Sequence, residues 1–265
     1  MNRAVARPRR GGAVSPARTA IVTGAAGGIG VTIVEELIRN GYGVGMTDLD
    51  DTALSDTADR IRSSTGVDRI WSRAADLGDP SDTSSAVTEL ATALGGTDVL
   101  VNCAGVLKDA RVPAMSADRF RRVLQINLGG MLSATMTALP YLKQSGTGRI
   151  ISLTSRAWLG NFGSSNYAAS KGAIAGVSRS MALAVAADGI TVNCIAPGFV
   201  ETPMSQSMPD HILERVRQSI PVPRVGTPLD VARTVTYLAA EEAGYITGQT
   251  VTVCGGRSIA GSLRT

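Results

Sequence analysis

Residues 19–30 read Thr-Ala-Ile-Val-Thr-Gly-Ala-Ala-Gly-Gly-Ile-Gly and decide the fold of this chain. Small and β-branched residues open the stretch, glycines follow at positions 24, 27, 28 and 30, and residues 31–39 continue with helical periodicity. This pattern predicts a strand, a tight turn and a helix. Glycines let the backbone approach a ligand closely, and free N–H groups at a helix start attract a pyrophosphate. The stretch therefore predicts a dinucleotide site.

The glycine spacing differs from the generic G-x-G-x-x-G fingerprint, because it is Gly24-x-x-x-Gly28-x-Gly30. Taken alone, such a cluster can be an ordinary turn. Here it directly follows a predicted strand, and Asp48 lies 18 residues after Gly30, roughly where an acid that holds the adenosine ribose is expected. This context favours nucleotide binding over a plain turn.

Composition favours one domain. The chain has 265 residues, of which 44% are hydrophobic, enough for one substantial core. We expect a single domain over residues 19–256 and a short C-terminal tail over 257–265. Five arginines lie before the first strand, so the net charge of +4 belongs to residues 1–18, which we expect to form a disordered basic tail. A loose anionic contact through this tail is the alternative, and we expect no nucleic-acid partner.

No stretch of the sequence has 18 uninterrupted apolar residues, and the N-terminus lacks the apolar centre of a signal peptide. We therefore expect a cytoplasmic protein with no membrane partner. The three cysteines, Cys103, Cys194 and Cys254, share no metal-ligand spacing. We expect them to be buried reduced thiols and expect no metal.

Predicted strands and helices alternate along the chain, and the strands lack polar alternation. This is typical of a parallel sheet covered by helices on both faces, so we predict a doubly wound α/β fold with seven strands. Segment 116–143 is predicted to be mainly one long helix, whereas 202–227 is irregular and is predicted to form a flap over a substrate. Binding groups recur at the carboxyl ends of strands, where ligands sit in such sheets, at Gly24, Asp48, Asp76, Asn102, Ser155 and Pro197.

Tyr167 and Lys171 lie four residues apart in a predicted helix and so share a face. A phenol titrates at about pH 10, and a nearby positive charge favours the phenolate, so Tyr167 is a candidate acid and base. A solvated surface pair is the alternative. The chain holds 26 basic residues, of which only three are lysines. Because arginine is used almost everywhere else, a lysine at position 171 suggests that this position requires lysine.

These motifs together resemble those of the short-chain dehydrogenase/reductase family, in its single-domain form. The resemblance covers roughly residues 19–256 and implies that they form a Rossmann-fold oxidoreductase domain. It includes the T-G-x-x-x-G-x-G motif from Thr23 to Gly30, the N-N-A-G motif with a cysteine at its second position from Asn102 to Gly105, an asparagine at Asn127, and the Y-x-x-x-K motif from Tyr167 to Lys171. The turn Pro197-Gly198 also matches.

The resemblance implies roles for four catalytic residues. Tyr167 would be the acid and base, Lys171 would lower its pKa and bind the nicotinamide ribose, and Asn127 would hold a water in a proton relay. A hydroxyl would orient the substrate oxygen. The family's usual spacing of 13 residues before the tyrosine lands on Thr154, whereas Ser155 lies 12 before it. We favour Ser155.

The resemblance also implies a nicotinamide cofactor. Asp48 favours NAD, because its carboxylate would accept hydrogen bonds from the ribose and repel the 2′-phosphate of NADP, which is the less favoured choice. The cofactor contacts expected by position are Gly24, Gly28, Ile29, Gly30, Asp48, Leu49, Asp76, Leu77, Asn102, Ala104, Gly105, Tyr167, Lys171, Pro197, Val200 and Thr202.

The expected activity is the interconversion of a secondary alcohol and a ketone. Segments 219–230 and 240–256 are most similar to the 3-oxoacyl-acyl-carrier-protein reductase branch, which suggests a hydroxyacyl thioester or another secondary alcohol. The family implies a homotetramer. A non-catalytic dinucleotide-sensing or scaffold protein is the alternative, and a hydrolase that uses His211, the only histidine, is disfavoured because no nucleophile elbow is present.

Overall fold

One parallel sheet forms the centre of the computed structural model, which describes residues 18–202 and 210–260. Its seven strands lie in the order β3-β2-β1-β4-β5-β6-β7, and every pairing is parallel. The strands are β1 Thr19–Thr23, β2 Gly43–Thr47, β3 Ile70–Ser72, β4 Val99–Asn102, β5 Arg149–Leu153, β6 Thr191–Pro197 and β7 Thr250–Val253. The predicted doubly wound seven-stranded sheet is confirmed.

Helices cover both faces of this sheet. They are α1 Gly28–Arg39, α2 Asp51–Thr65, α3 Pro80–Leu94, α4 Ala117–Leu124, α5 Met131–Ser145, α6 Ser165–Val185, α7 Asp210–Gln218 and α8 Pro228–Ala239. On one face, α1, α2 and α8 bury an apolar cluster that includes Leu37, Leu54 and Val235. On the other face, α3, α5 and α6 bury a second cluster that includes Leu90 and Leu142. Strands β1, β2, β4, β5 and β6 are buried along their whole length, which explains their lack of polar alternation.

The strand order reverses direction at β1, because β2 lies on one side of it and β4 on the other. The connections from these two neighbours run to opposite faces of the sheet, so a crevice opens at the carboxyl ends of β1 and β4. The glycine turn follows β1 and the segment Cys103-Ala104-Gly105 follows β4. The topology therefore brings two of the predicted motifs to one edge.

The structure differs from two predictions of secondary structure. The single long helix predicted over 116–143 is instead α4 and α5, joined by a π-helical segment at Gln125–Gly130. The segment 202–227, predicted to be irregular, contains α7. The sequence of α7 is amphipathic and contains several charged residues. The prolines on both sides of it make its helical periodicity difficult to recognise. Residues 203–209 of that segment lie outside the described residues.

One residue from each predicted tail contacts the domain or lines its cavity. Arg18, assigned above to the basic tail, donates to the carbonyls of Ala239 at 2.6 Å and Thr147 at 2.9 Å. Arg257, assigned to the C-terminal tail, lies in the wall of the cavity described below. The other residues of the two predicted tails fall largely outside the described residues. In the described part of the chain, no helix is long and apolar enough to cross a membrane.

Candidate active site

A cavity of about 710 Å³ opens at the carboxyl edge of the sheet. Its wall collects residues that follow β1, β2, β4, β5 and β6, as the strand-end pattern predicted. The glycine turn and Asp48 line one part, and Ser155, Tyr167 and Lys171 line another. One elongated site can therefore hold a dinucleotide and a second molecule together.

The glycine turn leaves no room for side chains at two positions. Gly24 has φ of +67°, and a Cβ there would lie 2.7 Å from the Cα of Ala104. A Cβ on Gly30 would lie 2.0 Å from the carbonyl oxygen of Gly24. Helix α1 begins immediately after Gly27, and no side chain caps it. Its first N–H groups thus remain available for an anion, which fits a pyrophosphate.

Two polar side chains fix this turn to the neighbouring strands. The Thr23 hydroxyl accepts hydrogen bonds from the backbone N–H groups of Cys103 and Ala104, both at 3.2 Å. The Asp48 carboxylate accepts from the N–H of Ala26 at 3.0 Å and from the N–H of Leu49 at 2.8 Å. Asp48 therefore holds the turn and faces the same cavity with oxygen lone pairs to spare.

Beyond Asp48, the cavity wall continues with Asp76, Leu77 and Arg122. Asp76 accepts from the N–H of Gly78 at 2.7 Å and pairs with Arg122 at 3.3 Å. The side chain of Arg122 was not among the predicted contacts, since it enters from α4, a helix that carries no motif residue. This end suits the flat face and polar edge of an adenine.

The phenol of Tyr167, the hydroxyl of Ser155 and the ammonium of Lys171 lie together in the other part of the cavity. Helix α6 presents both Tyr167 and Lys171 on one face, and Lys171 Nζ lies 5.5 Å from the centre of the Tyr167 ring. Ser155, two residues after the end of β5, is close enough to the phenol for hydrogen bonding to lower the pKa of Tyr167. Lys171 Nζ also donates to the carbonyl of Leu153 at 2.7 Å, and this hydrogen bond fixes the position of the ammonium.

Thr154 and Ser155 have different surroundings. Thr154 is buried and its hydroxyl donates to the backbone carbonyl of Lys171 at 2.7 Å. The Ser155 hydroxyl accepts from the N–H of Ala157 at 3.1 Å and faces the phenol. The extended backbone at Ser155 separates the two side chains because successive residues point to opposite sides.

Burial dominates the electrostatics of this group. It raises the pKa of the Tyr167 phenol above its usual value, and the hydrogen bond from Ser155 offsets part of that rise. Burial also lowers the pKa of Lys171 to about 8. The resemblance predicts that Lys171 lowers the pKa of Tyr167. In the structure of the protein alone, Lys171 is not among the causes of the shift, and desolvation of the phenolate raises this pKa.

Asn127 lies in the π-helical segment and does not line the cavity. Its side-chain oxygen accepts from the N–H of Val106 at 2.7 Å, and its amide nitrogen donates to the Val106 carbonyl at 3.0 Å and to Ser170 Oγ at 3.1 Å. A Cβ on Gly105 would lie 3.3 Å from both Asn127 Oδ1 and Lys171 Nζ. Asn127 therefore ties the loop after β4 to α6, beside the lysine.

Apart from Asn102 and Asn127, every site residue predicted from the sequence lies in this cavity wall. The amide of Asn102 instead donates to Thr135 Oγ1 at 3.1 Å and Ser152 Oγ at 3.3 Å, within the core. His211 lies on α7 and is exposed, outside the wall. The wall also contains four charged side chains that the sequence did not indicate, which are Asp109, Arg122, Arg156 and Arg257.

Comparison with known proteins agrees with this geometry. The family described as enoyl-(acyl carrier protein) reductase matches residues 24–258. The short-chain reductase protein NovJ of Streptomyces niveus is 40% identical, over 92% of this chain and 95% of its own. The 3-oxoacyl-[acyl-carrier-protein] reductase FabG of Staphylococcus aureus is 35% identical, over 90% and 97%. The crystal structure of levodione reductase superposes with a TM-score of 0.88 at 26% identity, over 92% and 98%.

The chain therefore belongs to the short-chain dehydrogenase/reductase family. It is an oxidoreductase that acts on CH–OH groups or the corresponding carbonyls with a nicotinamide dinucleotide.

Proposed function

We propose that this chain is an NAD(H)-dependent oxidoreductase that interconverts a secondary alcohol and a ketone, with Tyr167 as acid and base. The observation that carries the proposal is the meeting of Tyr167, Ser155 and Lys171 in the cavity that also contains the glycine turn. When bound there, a nicotinamide supplies or takes up the hydride, while the protein provides orientation and the proton.

Tyr167 suits the donation of a proton. Because burial raises its pKa, the phenol is protonated at neutral pH and can give its proton to a carbonyl oxygen as that oxygen gains charge. The Ser155 hydroxyl adjoins the phenol and can donate to the same oxygen, so we assign the orienting role to Ser155 rather than Thr154. At neutral pH the phenol is therefore in the protonated form that carbonyl reduction requires.

Lys171 suits the binding of ribose hydroxyls. An ammonium has three hydrogens, and one of them is donated to Leu153. The pKa of about 8 leaves most molecules protonated at neutral pH, so two donors remain beside the small residue Gly105. Asn127 acts through its hydrogen bonds to Val106 and Ser170, which position this loop, because its side-chain amide is engaged and has no hydrogen left for a water.

NAD is the proposed cofactor rather than NADP. Asp48 lies in the wall next to Leu49, and the turn residues 24–30 contain no basic side chain that would hold a 2′-phosphate. A carboxylate at this place accepts from ribose hydroxyls and repels a phosphate dianion.

The proposed substrate class is the 3-oxoacyl or 3-hydroxyacyl thioester. The name of the Staphylococcus aureus relative states reduction of such a substrate on an acyl carrier protein. In this chain, the apolar side chains of Leu107, Phe199 and Val216 line the cavity and suit an acyl chain.

The test is an assay of purified full-length protein with NADH or NADPH and a panel of 3-oxoacyl thioesters and simple ketones. We expect reduction of at least one ketone with NADH. Tyr167→Phe should lower kcat by about 10²-fold or more, the usual worth of a positioned acid. Unchanged turnover in this variant would contradict the mechanism. Binding of NADH without turnover across the panel would instead support a dinucleotide-sensing protein.

We further propose that the chain forms a homotetramer. Met136 on α5 and Leu183 on α6 are exposed by 61% and 86%, and Tyr237 on α8 by 62%. Large apolar side chains in exposed positions on these helices are consistent with interfaces between subunits. Light scattering should give four times the mass of the chain, and a monomeric mass would contradict the proposal.

A further inference from the structure

Two arginines that are 101 positions apart in the sequence line the cavity that also contains Tyr167. Arg156 follows Ser155 directly and begins the short 3₁₀ turn Arg156–Leu159. Arg257 follows β7 after Gly255 and Gly256, whose positive φ angles turn the chain back towards the cavity. Both side chains line the same wall as Ser155 and Tyr167.

Neither guanidinium has a protein partner. Within residues 18–202 and 210–260, no hydrogen bond or ion pair involves the side chain of Arg156 or Arg257. By contrast, Arg224 makes two 2.7 Å hydrogen bonds to the carboxylate of Asp230. Two arginines in a cavity wall thus retain ten N–H donors for a ligand, five on each.

The two charges also act on each other. The pKa of Arg257 is lowered, first by burial and next by the positive charge of Arg156, while Cys254 acts weakly in the opposite sense. Asp109 is the acid in this part of the wall, but its charge acts on Tyr167 and does not figure in the environment of Arg257. Among the described residues, no carboxylate forms an ion pair with either arginine.

We propose that Arg156 and Arg257 form an anion subsite that binds a carboxylate or phosphate oxyanion carried by the substrate. This inference rests on the proposed function, since it names a property of the ketone reduced at Tyr167. A guanidinium pair recognises planar or tetrahedral oxyanions through paired N–H groups, and an oxyanion between the two arginines removes their repulsion. Because both arginines line the cavity that contains Ser155 and Tyr167, we place the anion on the same substrate molecule as the carbonyl.

The test compares charged and neutral ketones of the same shape. Acetoacetate and its ethyl ester differ by a carboxylate. Acetoacetyl-4′-phosphopantetheine and acetoacetyl-pantetheine differ by a phosphate. Initial rates with NADH give KM and kcat for each pair, and calorimetric titration of the NAD-loaded protein gives binding without turnover. The pair that shows the larger preference for its charged member identifies the carboxylate or the phosphate as the natural anion.

The variants are Arg156→Gln, Arg257→Gln and the corresponding single lysine substitutions. Arg60→Gln is the control, because Arg60 is an exposed arginine on α2, outside the cavity, paired only with Glu35. We expect each glutamine variant to raise KM or Kd for the charged ketone by about tenfold or more, as for loss of a hydrogen bond to a charged group. The neutral ketone should change little. Lysine should restore part of the affinity, since it keeps the charge and loses the paired geometry.

The outcomes separate the two proposals. Equal affinity for charged and neutral ketones, or equal loss for both in the glutamine variants, would overturn the anion subsite and leave the proposed function intact. Binding of the charged compounds that is lost in the variants, but without turnover of any ketone, would support the subsite and contradict the proposed function.

Discussion

Lys171 Nζ lies 5.5 Å from the centre of the Tyr167 ring and donates at 2.7 Å to the carbonyl of Leu153, the last residue of β5. The lysine is thus fixed by the sheet as well as by its own helix. It is nearly fully buried, at 3% exposure, and its lowered pKa follows from that burial. The position of the ammonium beneath the phenol is therefore set before any ligand binds.

The pH dependence should have opposite signs in the two directions. Burial raises the pKa of Tyr167 above about 10, so the phenol is the dominant form at neutral pH. Ketone reduction requires the protonated form and should fall as the pH rises towards that pKa. Alcohol oxidation requires the phenolate and should rise over the same range. Initial rates in both directions between pH 6 and about 10.5 check this. A rise of the reduction rate with pH would contradict it.

Ser155→Ala and Thr154→Val should affect different properties. Loss of the Ser155 hydroxyl should lower kcat by about tenfold to a hundredfold without a change in melting temperature, because this hydroxyl faces the phenol. Thr154→Val should destabilise the fold by about 0.5–1.5 kcal/mol, because it removes the buried hydrogen bond from the Thr154 hydroxyl to the carbonyl of Lys171. Steady-state kinetics and thermal unfolding separate the two. A larger kcat loss in the Thr154 variant would reverse the assignment.

Asp48→Ser should shift cofactor preference. The substitution removes the carboxylate that faces the nucleotide part of the cavity, so the ratio of Kd for NADPH to Kd for NADH should fall by about tenfold or more. Asp51→Ser is the matched control, since Asp51 is exposed at the start of α2 and does not line the cavity. Fluorescence titration with each cofactor measures the ratio. An unchanged ratio in the Asp48 variant would show that another residue discriminates.

Gly30→Ala and Gly27→Ala should differ although both lie in the glycine turn. A Cβ on Gly30 would lie 2.0 Å from the Gly24 carbonyl oxygen, so the turn must shift and dinucleotide binding should be lost. A Cβ on Gly27 would meet that oxygen at 3.4 Å, an ordinary contact, and should cost about 1 kcal/mol or less. Thermal unfolding and NADH titration check both. Full NADH affinity in the Gly30 variant would contradict the steric argument.

Removal of the Asn127 side chain should disturb the position of the loop after β4 and should not remove a group that takes part in proton transfer. Asn127→Ala breaks the hydrogen bonds to Val106 and Ser170 and should loosen the loop beside Lys171. We expect a lower melting temperature together with weaker NADH binding. Asn40→Ala is the control, because Asn40 is exposed after α1 and bonds only to its own helix. A fall in kcat with unchanged stability and unchanged cofactor affinity would instead support a direct role in a proton relay.

The sequence by itself determined the order of strands and helices and the parallel sheet, because these depend on apolar runs and local periodicity. It also placed the glycine turn, Asp48 and Tyr167 at strand or helix positions that converge on one edge, since parallel strands end together. The sequence did not predict α7, because prolines and charged residues surround its helical pattern. It also did not predict the π-helical segment, since no residue type is specific for the wider helical turn.

Only the tertiary structure decided which way neighbouring side chains point and how well they are solvated. Thr154 and Ser155 are adjacent in the chain, yet one hydroxyl meets the backbone of α6 and the other meets the phenol. The pKa shifts of Tyr167 and Lys171 depend on burial, which arises from elements distant in sequence. Likewise, Arg156 and Arg257 are 101 positions apart and share a cavity wall only because β5, β6 and β7 are neighbours in the sheet.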